Sequence, residues 1–239
     1  MAAVVKLPGT NITLHEVLGG SENDLVDLLA IHRELFPDYG YYQPYMRERA
    51  KLPPHANPDL IEHWWLVRVD GQPAGVRFFV YVPQRDCGLG LAVGIRPAYR
   101  KVTFSEYQRL SEILLLKTLE YLTIDAEKSG RTTPIGMVSE IEDYILPRCI
   151  EYGYVPLNVD YQEPSFVQNS VVSVEEDEPI SFRPIALGCL PTNKDTFDPT
   201  DPTMLTNVIK AFLVDHYGLA EDHPVVRQAL NSIELGERG

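Results

Sequence analysis

Three groups of side chains in this sequence can do chemistry. The first is basic: Arg96, Arg100 and Lys101 lie in one short stretch, with Thr103 and Ser105 just after them. Where a strand passes into a helix, unpaired backbone N–H groups and the positive end of the helix dipole make a natural anion site. Cations in that turn suit a phosphate or pyrophosphate; the plain alternative is a solvated basic connection. The second group is acidic. Glu140 and Glu142 bracket the end of an apolar stretch, where a carboxylate either takes up a proton from a reacting group or simply meets solvent. The third is aromatic and cationic: Tyr39, Tyr41, Tyr42 and Tyr45 precede Arg47, Arg49 and Lys51. Tyrosines combine flat contact area with a polar tip, and arginines offer a fork for carboxylates or phosphates. The alternative there is a short surface helix with packed tyrosines.

Other candidates are weaker. His32, His55, His63, His216 and His223 lack metal-ligand spacing, so no metal is expected. Cys149 is a nucleophile only if a base reaches it, and no histidine is near it in sequence; a buried inert thiol is the better expectation. The three cysteines, Cys87, Cys149 and Cys189, form no CxxC pair, which fits reduced thiols in a cytoplasmic protein. A formal net charge of −13 argues against a general nucleic-acid binder. No apolar run approaches the ~18 residues of a membrane span, and the start, MAAVVKLPGTN, lacks the apolar core of a signal peptide. With 44% apolar residues, a packed globular core is expected.

Residues 87–119 must position the basic group. Cys87, Leu89, Leu91, Val93 and Ile95 alternate with Gly88, Gly90, Ala92 and Gly94, the period of a strand. Pro97 ends it. Thr103 with Glu106, and Ser105 with Gln108, each make a capping box, so either opens the next helix. Leu110, Ile113, Leu114, Leu119 and Leu122 give that helix its apolar face. Upstream, 11–18 reads as a strand and a helix runs from Ser21 or Asn23 to about Phe36. Residues 63–70 and 73–82 read as strands joined by the Asp70-Gly71 hairpin turn. Downstream, 134–141 reads as a strand, 143–152 as a short helix tightened by Pro147, and 154–161 as a strand. Residues 175–178 are an acidic run, 181–190 one more strand and 191–202 a polar linker. Two amphipathic helices follow, with stripes at Met204, Leu205, Val208, Ile209, Phe212 and Leu213, then at Val225, Val226, Ala229, Leu230 and Ile233. They pack as a hairpin on the domain or offer a homodimer or partner surface.

The run LAVGIRPAYR, 91–100, followed by a helix, resembles the core motif of the GNAT superfamily of acyl-CoA-dependent N-acyltransferases. Ile95, Pro97, Tyr99 and Arg100 stand in the places of its apolar strand end and x-Pro-x-Tyr-Arg. Residues 134–157, PIGMVSEIEDYILPRCIEYGYVPL, are similar to the family's fifth strand, fourth helix and GF strand, with Gly153-Tyr154 in the last role. The resemblance spans residues 11–163. It implies an α/β fold, a mixed, mainly antiparallel sheet flanked by helices, with a C-terminal helical extension. The expected layout is a GNAT-like domain at 11–163, an acidic loop, extra strand and linker at 164–202, and a helical hairpin at 203–236.

It further implies transfer of an acyl group, acetyl first, from acyl-CoA to a primary amine of a small molecule by direct attack. Acetyl-CoA would be the co-substrate, held by Val93, Gly94 and Ile95 and by the turn Arg100, Lys101, Val102, Thr103, Phe104 and Ser105. Glu140 would take the ammonium proton. Tyr42, Tyr45 and Arg47 would border the acceptor. The sequence departs from the family twice. The turn's two small positions carry Thr103 and Ser105, where glycine lets the backbone approach a pyrophosphate. The family's helix tyrosine, the proton donor to the leaving thiolate, falls on Cys149, which leaves Tyr144 or Cys149 as substitute donor. The other expectation is therefore a catalytically inactive GNAT-like module that binds a ligand or partner.

Overall fold

The computed structural model describes residues 3–105, 108–165 and 181–236; Glu106 and the acidic run 175–178 lie outside them. The first strands are β1 (Val4–Lys6), β2 (Ile12–Glu16), β3 (Ile61–Val69), β4 (Gln72–Val82) and β5 (Cys87–Ile95). After a short hairpin of β6 (Thr103–Ser105) and β7 (Gln108–Arg109) come β8 (Gly136–Ile141), β9 (Val155–Leu157), β10 (Gln162–Ser165), β11 (Ser181–Pro184) and β12 (Ala186–Pro191). The helices are α1 (Glu22–Leu35), α2 (Gln43–Arg49), α3 (Leu110–Lys128), α4 (Leu146–Glu151), α5 (Pro202–Lys210) and α6 (Pro224–Gly236). The main sheet has the order β1-β2-β3-β4-β5-β8-β12-β9. β1 with β2, β2 with β3, β8 with β12, and β12 with β9 pair antiparallel. β5 pairs parallel with β8, Gly88 opposite Met137 and Leu89 opposite Val138. A parallel pair needs a crossover, and α3 lies within it.

The chain divides into two compact units, Met1–Val80 with Leu91–Glu120, and Tyr81–Gly90 with Tyr121–Gly239. In the first, Ser21 caps α1, its hydroxyl accepting from Asp24 N–H. The stripe Leu25, Leu28, Leu29 and Ile31 then meets Trp64 and Leu66 of β3, Val76 and Phe78 of β4, and Met46 of α2 in one core. Asp70 and Gly71 take positive φ, 51° and 76°, as the expected tight hairpin turn requires. β4 is covered on both faces: every residue from Ala74 to Val82 is buried. Arg77 therefore lies 2% exposed and is satisfied inside, donating to Thr118 Oγ1 at 3.1 Å and Ala92 O at 3.3 Å, its guanidinium 5.9 Å from the Phe79 ring centre.

In the second unit, the stretch expected as one strand at 181–190 forms two. β11 pairs with β10, and after Ile185 β12 runs between β8 and β9. The predicted C-terminal pair exists: α5 and α6 pack together, and Met204, Leu205, Val208, Ile209, Phe212 and Leu213 are all buried. The helix expected at 143–152 is shorter, Leu146–Glu151, with Pro147 in its first turn. Gly153 follows at φ +95°, a conformation other residues rarely adopt.

One larger correction concerns α3. It does not start at Thr103 or Ser105. Those residues form β6, and the helix begins at Leu110, where the Glu112 carboxylate accepts from Arg109 N–H at 2.6 Å. That is one half of a capping box, placed six residues later than Thr103 would put it.

The glycines of the motif strand have packing reasons. A Cβ on Gly88 would stand 2.2 Å from a Leu122 methyl, and one on Gly94 2.8 Å from the Phe36 ring. On Gly75 it would meet the Gly94 carbonyl oxygen at 2.5 Å, a backbone atom with no rotamer to yield. Gly75→Ala is therefore expected to lower stability by about 1–3 kcal/mol. Urea unfolding checks this against Gly40→Ala, whose Cβ meets nothing within 4 Å.

Candidate active site

β8 carries Glu140 one residue before its end, opposite Leu187 of β12. Its two carboxyl oxygens each have a phenol. Tyr161, in the link between β9 and β10, donates to Oε1 at 2.6 Å, and Tyr217, just past α5, donates to Oε2 at 2.7 Å. Burial pushes the carboxyl up, against the two phenol hydrogen bonds that hold it down, to about 7. Glu163 raises it further and Arg183 opposes that. Tyr161 is buried, and its own hydroxyl is pushed well up by burial and by the neighbouring Glu140. A group half ionised near neutrality can take up and release a proton at working pH.

The surroundings are acidic. Arg183 of β11 lies between Glu142, 2.6 Å from its Nη2, and Glu163 of β10. Glu163 is raised by burial, with Arg183 pulling the other way. Beside Glu140 on β8, Ser139 Oγ lies 3.3 Å from the Tyr154 hydroxyl. Of the two expected carboxylates, then, Glu142 is committed to an ion pair and Glu140 to two phenols.

The substitute proton donors sit nearby in sequence. Tyr144 is 82% exposed in the turn before α4. Cys149 is half-buried on α4, and burial pushes its thiol up while Arg148 opposes. Such a thiol stays protonated at neutral pH: it is no ready thiolate nucleophile, but it has a proton to give. Cys87 and Cys189 are buried, with thiols likewise pushed up, as expected of inert cysteines. Among the described residues no group of three His, Cys, Asp or Glu side chains is placed to hold a metal ion. No helix among them is long and apolar enough to cross a membrane.

The first unit holds the other expected site residues. Val93 is exposed, Gly94 buried and Ile95 half-buried at the end of β5. Pro97–Tyr99 form a short 3-10 turn. Arg100, Lys101, Val102 and Thr103 are exposed and Phe104 is half-buried; Ser105 belongs to β6, and its side chain lies outside the described set. Arg100 Nε donates back to Ile95 O at 2.8 Å. The helix end expected here as an anion site lies instead at Leu110, and Glu112 puts a negative charge on it. That arrangement fits a pyrophosphate poorly, since the carboxylate already uses an end N–H and repels a second anion. Tyr42 and Tyr45 pack on the core, Tyr45 6.4 Å from the Trp64 ring, which is the packing alternative for that segment. Arg49 is buried against Glu62 at 3.1 Å, whereas Arg47 is exposed.

Tyr161 and Tyr217 were not legible as site residues. They stand 21 and 77 positions from Glu140, with no spacing that links them to it.

The raised carboxyl has a consequence for stability. Its folded value, about 7, exceeds the ordinary 4.5, so between those values the folded state binds the proton and the unfolded state does not. This contribution is full below the ordinary value and is lost as pH rises through the folded one, at most about 3 kcal/mol. Wild type is thus expected to lose more stability than Glu140→Gln between pH 5 and about pH 8, as urea unfolding at each pH would measure. Equal losses would contradict the assignment.

No protein-family model matches this sequence, and a search of curated proteins finds no match. Solved structures do. A chimera of the Vibrio cholerae spermidine N-acetyltransferase SpeG with hSSAT superposes with a TM-score of 0.50 at 12% identity, covering 77% of this chain and 96% of that one. The PaiA N-acetyltransferase of Thermoplasma acidophilum, in complex with coenzyme A, gives 0.44 at 12%, covering 75% and 98%. A GNAT family acetyltransferase from Elizabethkingia anophelis with acetyl-CoA bound gives 0.42 at 12%, covering 76% and 98%. With its mainly antiparallel sheet, the parallel β5–β8 pair and flanking helices, this chain has the fold of the GNAT acetyltransferases.

Proposed function

We propose that this protein is an acyl-CoA-dependent N-acyltransferase that transfers an acyl group, acetyl first, to a primary amine of a small molecule. The observation that carries the reading is Glu140, a carboxyl poised near neutrality between two phenols. An amine attacks only when deprotonated, and Glu140, directly or through one water, accepts that proton. The acyl-CoA supplies a thioester: the amine nitrogen bonds to its carbonyl carbon, the C–S bond breaks, and the thiol leaves with a proton. Cys149 or Tyr144 is the donor of that proton on this chain. Backbone N–H groups in the stretch Val93–Ile95 are the proposed electrophilic contacts, Arg100 to Ser105 the proposed pyrophosphate contacts, and Tyr42, Tyr45 and Arg47 the proposed acceptor border. A small amine is in keeping with a neighbour described as a spermidine N-acetyltransferase.

A second reading, a non-catalytic module of the same fold, is favoured by one feature. The β6–β7 hairpin and Glu112 stand where a glycine-rich turn would open the helix to a phosphate. Acetyl-CoA binding by calorimetry separates the two readings: the acyltransferase binds it, and Arg100→Ala weakens it roughly 10- to 100-fold.

Thiol release on mixing acetyl-CoA with a panel of primary amines tests activity. Glu140→Gln is expected to lower kcat/KM by about 10²- to 10⁴-fold. It should also abolish a rise of kcat/KM with pH that has its midpoint near 7. Neither binding nor turnover with any amine would favour the module.

A further inference from the structure

α5 does not end as an α-helix. It runs into a π-helical turn, Ala211–His216, and Tyr217 N–H reaches back five residues to Phe212 O at 2.8 Å. One extra residue in a helix advances everything after it by about 100°, and such turns cluster at functional sites. Here the turn aims Tyr217 at Glu140. It is also anchored from another element: Asp215 accepts from Arg85, in the turn after β4, at 2.7 Å. Gly218 follows at φ +73° and lets the chain leave.

We propose that Tyr217 is a positioning residue for the Glu140 carboxyl, supplied by the C-terminal helices through this π-helical turn. The inference rests on the reading of Glu140 as the base. With Tyr161 on Oε1 and Tyr217 on Oε2, the carboxyl plane is fixed at both oxygens. Both phenols donate to the ionised form and so favour it, against the burial that favours the neutral acid. When Glu140 accepts a proton on Oε2, the Tyr217 hydroxyl oxygen can accept from it instead of donating, so the pair stays hydrogen-bonded. Among the described residues, Glu163 of β10 and Arg183 of β11 also act on the carboxyl. Tyr154 of the β9 approach meets Ser139 on the same strand as Glu140. His216, 4.8 Å from the Tyr217 ring, is held neutral by burial, which pushes it down to about 4, so it adds no charge. On this account the C-terminal helices are more than packing: they complete the site.

Carbon-13 NMR of protein labelled at the glutamate side-chain carboxyl tests this without substrate. The Glu140 signal, identified by its loss in Glu140→Gln, should titrate near 7 in wild type. In Tyr217→Phe, which keeps the ring, the midpoint should rise by about one unit or more, the worth of one hydrogen bond to a charged group. Should that variant not fold, Asp215→Asn, which frees the turn from Arg85 but leaves the phenol, must raise the midpoint in the same direction. An unchanged or lowered midpoint in the folded variant overturns the proposal. The pH profile of kcat/KM then separates this inference from the reading beneath it. If the carboxyl midpoint and the rate limb move together, Tyr217 positions the base. If the carboxyl moves and the limb does not, Tyr217 holds Glu140 but Glu140 is not the base, and the role assigned to it under the proposed function falls.

Discussion

A carboxyl largely withdrawn from water has to be neutralised or hydrogen-bonded, and the second unit meets that requirement at Glu140. Leaving such a group unsatisfied costs several kcal/mol. Two phenols meet the need, and each demands something of the chain. Tyr161 needs the link that follows β9, and β9 is held by its pairing to β12. Tyr217 needs α5, the π-helical turn after it and the Arg85–Asp215 pair that pins the turn. Inserting β12 between β8 and β9 is thus part of the same solution. The result is not a fully satisfied, inert carboxylate. Burial and the two donors oppose each other, and the balance falls near neutral pH.

The stretch after β5 shows the opposite economy. Arg100 and Lys101 face solvent, Arg96 pairs with Glu34 at 2.8 Å, and Arg100 donates to the strand it follows. The hairpin of β6 and β7 delays the helix, and Glu112 completes the helix end from within. A helix start closed by its own carboxylate stabilises itself through the dipole; an open one would be left for a ligand. This chain took the first course at α3.

Much of the fold could be read in the residues because local rules coincide there. Strict alternation from Cys87 to Ile95 gave the strand to the residue, Pro97 ended it, and Asp70-Gly71 made its turn. The stripes of α1 and α5 were visible at helical spacing. Where local signals compete, reading failed. Thr103 and Ser105 look like helix caps, but β-branched Thr103 also suits a strand, and pairing with Arg109 prevailed. Burial of Arg77 was not legible, because sequence does not reveal that both faces of β4 are covered. Of the site, Glu140 was legible because it sits at a strand end beside a motif. Tyr161 and Tyr217 were not, since long-range hydrogen bonds leave no periodicity. The π-helical turn is equally silent: 204–213 reads as an ordinary amphipathic helix, and nothing in it marks the added residue.

The most direct test of the central claim is a crystal structure with a bisubstrate analogue, in which an amine is joined to coenzyme A through an acyl bridge. The account predicts the acceptor nitrogen within about 2.6–3.2 Å of the Glu140 carboxyl, or joined to it through one ordered water. A nitrogen placed elsewhere, with no water connecting it to Glu140, would contradict it.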